Sequence, residues 1–269
     1  MKNQNKQGAY KFVYQMRIQK SLAYRFDVYG NILMQCIIMF ASACFWKAIY
    51  GADSVVKGMA INEMLTYTVI SAMMSVLFTT GVEQRVIHSV RKGTIATDML
   101  KPISLFGLYF FEDLGMVTAL FFQNLLPIFV IGSICIIVPR PAEMGMMILF
   151  LISLGMAFLI NWLLAACFSM WAFTAINMDP MLQVKKHLLR LLSGSIIPMW
   201  FFPQWLAGIL KWLPFVYIYQ FPLDIYVGKW PKEMVGGRLL IQAGWMLGLF
   251  MFFVILQKKV QKKVMIQGG

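Results

Sequence analysis

The chain has 269 residues, 60% of them hydrophobic and only 13% charged, with a formal net charge of +13 at pH 7. A soluble domain of this length is closer to half apolar and a quarter charged, so lipid must solvate part of the surface. The basic residues punctuate apolar blocks instead of gathering in one patch, which argues for a membrane topology signal and against a nucleic-acid partner.

The first element is residues 10–26. On a helical wheel Phe12, Val13, Met16, Leu22, Ala23 and Phe26 fall on one side, and Arg17, Ser21 and Arg25 on the other. That pattern predicts an amphipathic helix at the cytoplasmic membrane surface. It is either a basic anchor that fixes topology or a contact for a cytoplasmic partner as well. No cleavable signal peptide is expected, because the first apolar run follows a long polar, basic stretch and continues at spanning length.

Charge-free windows mark the spans, since a bilayer core takes about 20 apolar helical residues and charges are costly inside it. The windows are 28–46, 64–82, 114–139, 144–178, 191–210 and 239–257. They predict six transmembrane helices over about 28–49, 64–82, 108–138, 144–173, 184–203 and 239–257. The second carries Thr68, Ser71, Ser75 and Thr79 on one helix face. That face either packs closely against another helix, across a dimer seam for example, or forms a mildly polar pathway wall.

The loop 83–104 follows. Its first part is charged at Glu83, Arg85, Arg91 and Lys92 yet keeps Val86, Ile87 and Val90 on one face. A short helix that docks on a partner through its apolar residues is expected, ending at Gly93. Pro102 disfavours helical geometry at Lys101 and marks a break before the third span. Glu112 and Asp113 are expected near the cytoplasmic end of that span, facing headgroup water or a basic partner.

The region 193–231 holds five prolines, Pro198, Pro203, Pro214, Pro222 and Pro231. Each resists helix continuation. Broken backbone at membrane depth is tolerated only where it is buried in protein or lines a wet cavity. A fifth span ending near Pro203 is therefore expected, followed over 204–231 by an outer re-entrant helical element. A large loop resting on the membrane is the alternative. Trp200, Trp205, Trp212, Tyr217, Tyr219 and Tyr226 fit an interfacial aromatic belt. Gly244 and Gly248 in the last span form a G-x-x-x-G, a weak sign of a helix contact.

Lys and Arg set the orientation. Segments 1–26, 83–104, 179–190 and 258–269 hold six, four, three and four, 17 of the 24 basic residues. These segments alternate with the other connections along six spans, which puts them, and both termini, in the cytoplasm. No phosphate loop G-x-x-x-x-G-K-[ST] occurs. His88 and His187 both fall in cytoplasmic loops, and no acidic or histidine chain is expected across the bilayer centre. Cys36, Cys44, Cys135 and Cys167 sit in apolar blocks without metal-ligand spacing. The chain reads as the passive membrane half of a machine driven from elsewhere, with no catalytic, cofactor-binding or metal site of its own.

In order of elements and in local strings the sequence resembles the permease subunits of ABC-2 type ATP-binding-cassette exporters, in a small bacterial six-span branch. The strings are Gly93-Thr94-Ile95 before Asp98-Met99-Leu100-Lys101-Pro102-Ile103, and Ser193-Gly194 before Ile197-Pro198 and Phe202-Pro203-Gln204-Trp205-Leu206. Leu213-Pro214-Phe215 and Phe221-Pro222 follow. The resemblance covers nearly the whole chain. It implies one all-α integral membrane permease domain over 1–269 in the cell membrane, dimerising as a homodimer or a heterodimer with a second permease chain. It implies cytoplasmic ABC ATPase subunits that bind ATP and magnesium, and export of a peptide, antibiotic, lipid or similar amphipathic substrate. By the same resemblance Glu83, Arg85, Val86, Ile87, Val90 and Arg91 belong to the coupling helix seated on the ATPase, with Asp179, Lys185 and Lys186 as a second, smaller contact. A membrane assembly or structural protein without transport activity is the alternative from a different class.

Overall fold

In a computed structural model of the chain, residues 2–23, 25–99, 103–135, 144–174 and 178–267 are described. The expected break at Pro102, the end of the predicted third span at 136–138, and Arg140 lie outside the described residues. The elements are α1 (Lys2–Ala23), α2 (Arg25–Tyr50), the two-residue strands β1 (Val55–Val56) and β2 (Met59–Ala60), α3 (Ile61–Leu77), α4 (Val82–Arg91) and α5 (Ile95–Met99). Then come α6 (Leu105–Leu120), α7 (Leu126–Cys135), α8 (Met144–Ser169), α9 (Asp179–Leu192), α10 (Gln204–Leu210), α11 (Gln220–Tyr226) and α12 (Lys232–Gln267). A π-helical stretch, Phe121–Leu125, joins α6 to α7.

Among the described residues five helical segments are long and apolar enough to cross a membrane: Val28–Tyr50, Ile61–Arg91, Leu105–Ile134, Gly145–Phe173 and Lys232–Lys262. They correspond to the predicted first, second, third, fourth and sixth spans. The fold is an all-α membrane bundle. Large apolar residues such as Leu33, Ile134, Leu240 and Met251 face outward, as lipid-facing surface requires.

The fifth predicted span, 184–203, is not one helix. α9 stops at Leu192, Gly194 takes a left-handed φ of +83°, and Met199–Phe201 is a short 3-10 turn. A Cβ on Gly194 would lie 2.4 Å from Oε1 of Gln220, so both the backbone sign and the space require glycine. The chain still travels the height of α3 and α4 through this segment. Asp179 pairs with Arg91 at the far end of α4, and the Ser195 carbonyl accepts from Ser71 at 2.6 Å. The Trp200 carbonyl accepts from Lys57 in the β1–β2 turn at 3.2 Å. After Pro203 the chain doubles back. Tyr219 stacks edge-on against Phe78 midway along the second crossing, and Tyr226 returns to Phe150 near the start of α8.

α1, expected at the membrane surface as an anchor or also as a contact for a cytoplasmic partner, has its main contact with the bundle itself. It packs lengthwise on α6, with Tyr10 stacked on Phe111 at 5.0 Å and the Tyr14 hydroxyl 3.2 Å from Thr118 Oγ1. Arg17, expected on the polar face, points into this contact and reaches Met116 Sδ at 3.1 Å. Gly115 permits the approach, because a Cβ there would lie 2.6 Å from the Tyr14 carbonyl oxygen. Phe12, Met16 and Leu22 remain exposed, so the apolar stripe read from the wheel faces away from the bundle.

Candidate coupling and translocation site

α3 and α4 are a single rod with a break at Phe78–Gly81. Breaking a helix inside a bilayer orphans backbone groups, and neighbouring helices take them up here. The Phe78 carbonyl accepts from Asn161 Nδ2 at 2.9 Å, and the Gly81 N–H donates to Asp113 Oδ1 at 2.9 Å. A Cβ on Gly81 would lie 2.5 Å from Nη1 of Arg85, so a side chain there would have to displace the guanidinium.

The same carboxylate holds Arg85. Asp113 is fully buried, ion-paired with Arg85, and accepts from the Trp162 indole N–H at 3.0 Å. Arg85 also reaches the Tyr109 carbonyl at 3.2 Å and Glu112 at 3.4 Å. Glu112 and Asp113 were expected to face headgroup water or a basic partner. Asp113 instead is buried against a basic residue of its own chain, and this cluster is what sequence reasoning missed.

The other charges of α4 are also spent within the chain. Glu83, buried, pairs with Lys185 of α9, and Arg91 pairs with Asp179 at the start of α9. Of the candidates for two separate ATPase contacts, Glu83 and Arg91 on one helix and Lys185 and Asp179 on the other are therefore partners of one another, while Arg85 is held by α6. Val86 and Ile87, expected as the apolar anchor for a partner, are buried in the chain's own core with Val82, Phe106 and Leu163, and Val90 packs against that core half-buried. The apolar face of α4 thus turns inward, against α8 and α6. The outward face at this end is Gln84, His88, Lys92, Gly93, Thr94 and Thr97, with Gly93 turning at φ +71°.

Thr68, Ser71, Ser75 and Thr79 do lie together, along a cleft between α2, α3 and α9. Its upper part, about 120 Å³, is bounded by Gln35, Thr68, Ser71 and Ser75, and its lower part, about 250 Å³, by Ser75, Thr79, Gln84 and Lys186. Ser75 and Arg190 border both parts. Within one chain this face meets α2, through Gln35 Nε2 to Ser75 Oγ at 3.4 Å, and the turn after α9.

The four prolines named for the re-entrant element, Pro198, Pro203, Pro214 and Pro222, all sit at helix starts or turns. Pro198 and Pro203 precede Met199–Phe201 and α10, Pro214 begins a 3-10 turn, and Pro222 lies in the first turn of α11. Pro at these positions forfeits no helical hydrogen bond. Gln220 pins the doubled-back segment. Its Oε1 accepts from the Met199 N–H at 2.9 Å and lies 3.1 Å from the Tyr67 hydroxyl, and its Nε2 donates to Asp224 at 2.6 Å. The Tyr67 hydroxyl also meets the Gly194 carbonyl. Tyr217, Tyr219 and Tyr226, expected in the interfacial belt, are buried in this knot, while Trp205 and Trp212 are exposed. Just outside it Lys229 lies 3.2 Å from the Trp200 ring centroid, and burial lowers its pKa against the opposing pull of Asp224.

The model of the family described as ABC-2 family transporter protein matches residues 36–268. This chain belongs to the ABC-2 transporter family. No curated protein and no solved structure matches it. The ABC-2 chain is a multi-pass membrane protein and the membrane permease of an ABC transporter, as the resemblance implied. Members of the family typically lack ATPase activity and associate with an ABC ATPase.

Proposed function

We propose that this chain is the permease subunit of an ATP-driven exporter, paired with a second permease chain and driven by cytoplasmic ATPase subunits. Docking falls to the tip made by the exposed end of α4, Gly93 and α5, not to Val86 and Ile87. The observation that carries the reading is the wiring of α4. Arg85 ties it to α6, and Glu83 and Arg91 tie it to α9, so a push on the tip moves three elements as one. Both termini are cytoplasmic in this reading, and six crossings result, the fifth made by α9 with the broken segment to Phe201. The doubled-back segment 204–231 closes the outer end.

The test is retention of the ATPase on the tagged permease after mild detergent extraction. His88→Glu with Lys92→Glu at the exposed tip is expected to lower retention at least tenfold while the permease stays inserted and monodisperse. If that pair leaves retention and substrate-stimulated ATP turnover unchanged, the tip is not the coupling element and the proposal falls.

A further inference from the structure

The cleft along α3 and α9 carries more positive charge than it matches. Four charged side chains, Glu83, Lys185, Lys186 and Arg190, line its lower part. Lys185 is paired with Glu83, which leaves two cations in excess. Arg190 borders both parts of the cleft together with Ser75, and Ser75 lies near the middle of the Ile61–Arg91 crossing. A cation at that depth is costly unless it meets water or an anion, and such residues mark ligand or ion pathways.

The hydroxyl wall does not supply the anion contacts. Thr68, Ser71, Ser75 and Thr79 all donate to backbone carbonyls, at 3.0, 2.6, 2.7 and 3.4 Å. Their free lone pairs suit water. The cationic donors outside the Glu83–Lys185 pair are Arg190 and Lys186, and the planar guanidinium fork matches the two oxygens of a carboxylate or phosphate.

From this geometry we infer that the cleft is an oxyanion site and that the transported molecule carries a carboxylate or phosphate group, which passes Arg190 midway across the bilayer. The apolar margin supplied by Ile38, Met39 and Ile196 suits a molecule with an apolar body beside its acidic group. The inference rests on the permease reading and adds the chemical class of its cargo.

The experiment uses the full chain in nanodiscs of phosphatidylcholine, with tritiated octyl phosphate as the probe. Saturable binding is expected, displaced by octanoate but not by octanol or octyltrimethylammonium. Arg190→Gln with Lys186→Gln weakens it at least tenfold, and Arg190→Glu turns the preference toward octyltrimethylammonium. Displacement by inorganic phosphate as strong as by octyl phosphate assigns the site to a soluble anion; weaker displacement assigns it to an amphiphile's head group. Arg190 is exposed and Lys186 half-buried, so these substitutions leave the core intact; Lys186→Gln alone, with a threefold loss expected, serves if an Arg190 variant fails to fold. Equal binding by wild type and variants, or equal displacement by octanol, overturns the inference. ATPase retention on the same preparations separates the two ideas. Retention without anion binding refutes the oxyanion site alone, and anion binding without retention refutes the exporter reading alone.

Discussion

Replacing Asp113 tests the wiring of α4 most directly. Its carboxylate is fully buried and serves Arg85, the Gly81 amide and the Trp162 indole at once. Taking one partner from a buried ion pair costs about 3–5 kcal/mol, because the remaining charge is left uncompensated. Glu112, 3.4 Å from Arg85, takes over part of that charge and puts the loss near 3 kcal/mol at the lower end of the range. The two neutral donors add about 0.6 kcal/mol each, the average for such bonds inside membrane proteins. Asp113→Ala is therefore expected to destabilise the chain by about 4 kcal/mol. The assay is unfolding in mixed dodecyl maltoside and SDS micelles, followed by tryptophan fluorescence. Arg85→Met with Asp113→Leu should recover at least about 2 kcal/mol of that loss, since an apolar pair replaces a buried ion pair at little cost. A cost below about 1 kcal/mol for Asp113→Ala, or a double variant no better than the single, would refute the reasoning.

Three other perturbations probe separate parts of the molecule. Gly194→Ala forces an L side chain into the left-handed region and against Gln220; it should cost about 1–2 kcal/mol for the backbone and another 1–3 for the displaced amide, read in the same unfolding assay. Gly115→Val drives a methyl group into the Tyr14 carbonyl; it should cost about 1–3 kcal/mol and free α1 from α6, visible as faster proteolysis within residues 7–23. In a background free of cysteine, Cys substituted at Asp53 and Lys211 should react with an impermeant thiol reagent in intact cells, whereas Cys at Lys92 and Gln261 should not. Protection at Lys211 would mean that α9 and the segment after it do not cross.

The charge-free windows located five long helices because spanning length and the cost of buried charge are local properties that a single sequence carries. The α3–α4 break was not placed: the window ran to 82, whereas the helix breaks at Phe78–Gly81 and the apolar segment continues to Arg91. Arg85–Asp113 and Lys185–Glu83 were not visible. Their partners lie 28 and 102 residues apart, and no periodicity links such positions. A helical wheel also cannot tell lipid from protein on the apolar side. It identified the Val86–Ile87 stripe but gave no sign that the stripe faces α8 instead of an outside partner, and on α1 it assigned Arg17 to water. The fifth predicted span is not one helix for a third reason. Its window was free of charge, but Gly194 turns left-handed there, and Gln220, 26 positions away in the chain, occupies the space a side chain would need.

The placement of charge in α4 is better explained by motion than by stability. Apolar residues of similar volume fill a buried site as well as an ion pair does, and often better. The buried ion pairs of Glu83 and of Arg85 on a ten-residue helix therefore make an inefficient way to hold a bundle together. Ion pairs do have direction and distance, however, and they fix the register of one helix against another in a way that greasy contacts do not. Arg85 fixes α4 to α6 through a carboxylate that also closes the break at Gly81. Glu83 and Arg91 fix it to α9 at two points eight residues, or about 12 Å, apart along the helix. The buried Glu83–Lys185 pair holds α4 against α9 and the Arg85–Asp113 pair holds it against α6, while the exposed Arg91–Asp179 pair adds less. In the proposed coupling, a push at Gly93 would move α4 together with α6 and α9, and through α9 would reach Arg190 and the polar cleft beside Ser75. The break at Phe78–Gly81 lies between that tip and the upper half of α3, where Tyr67 and Gln220 hold the outer end.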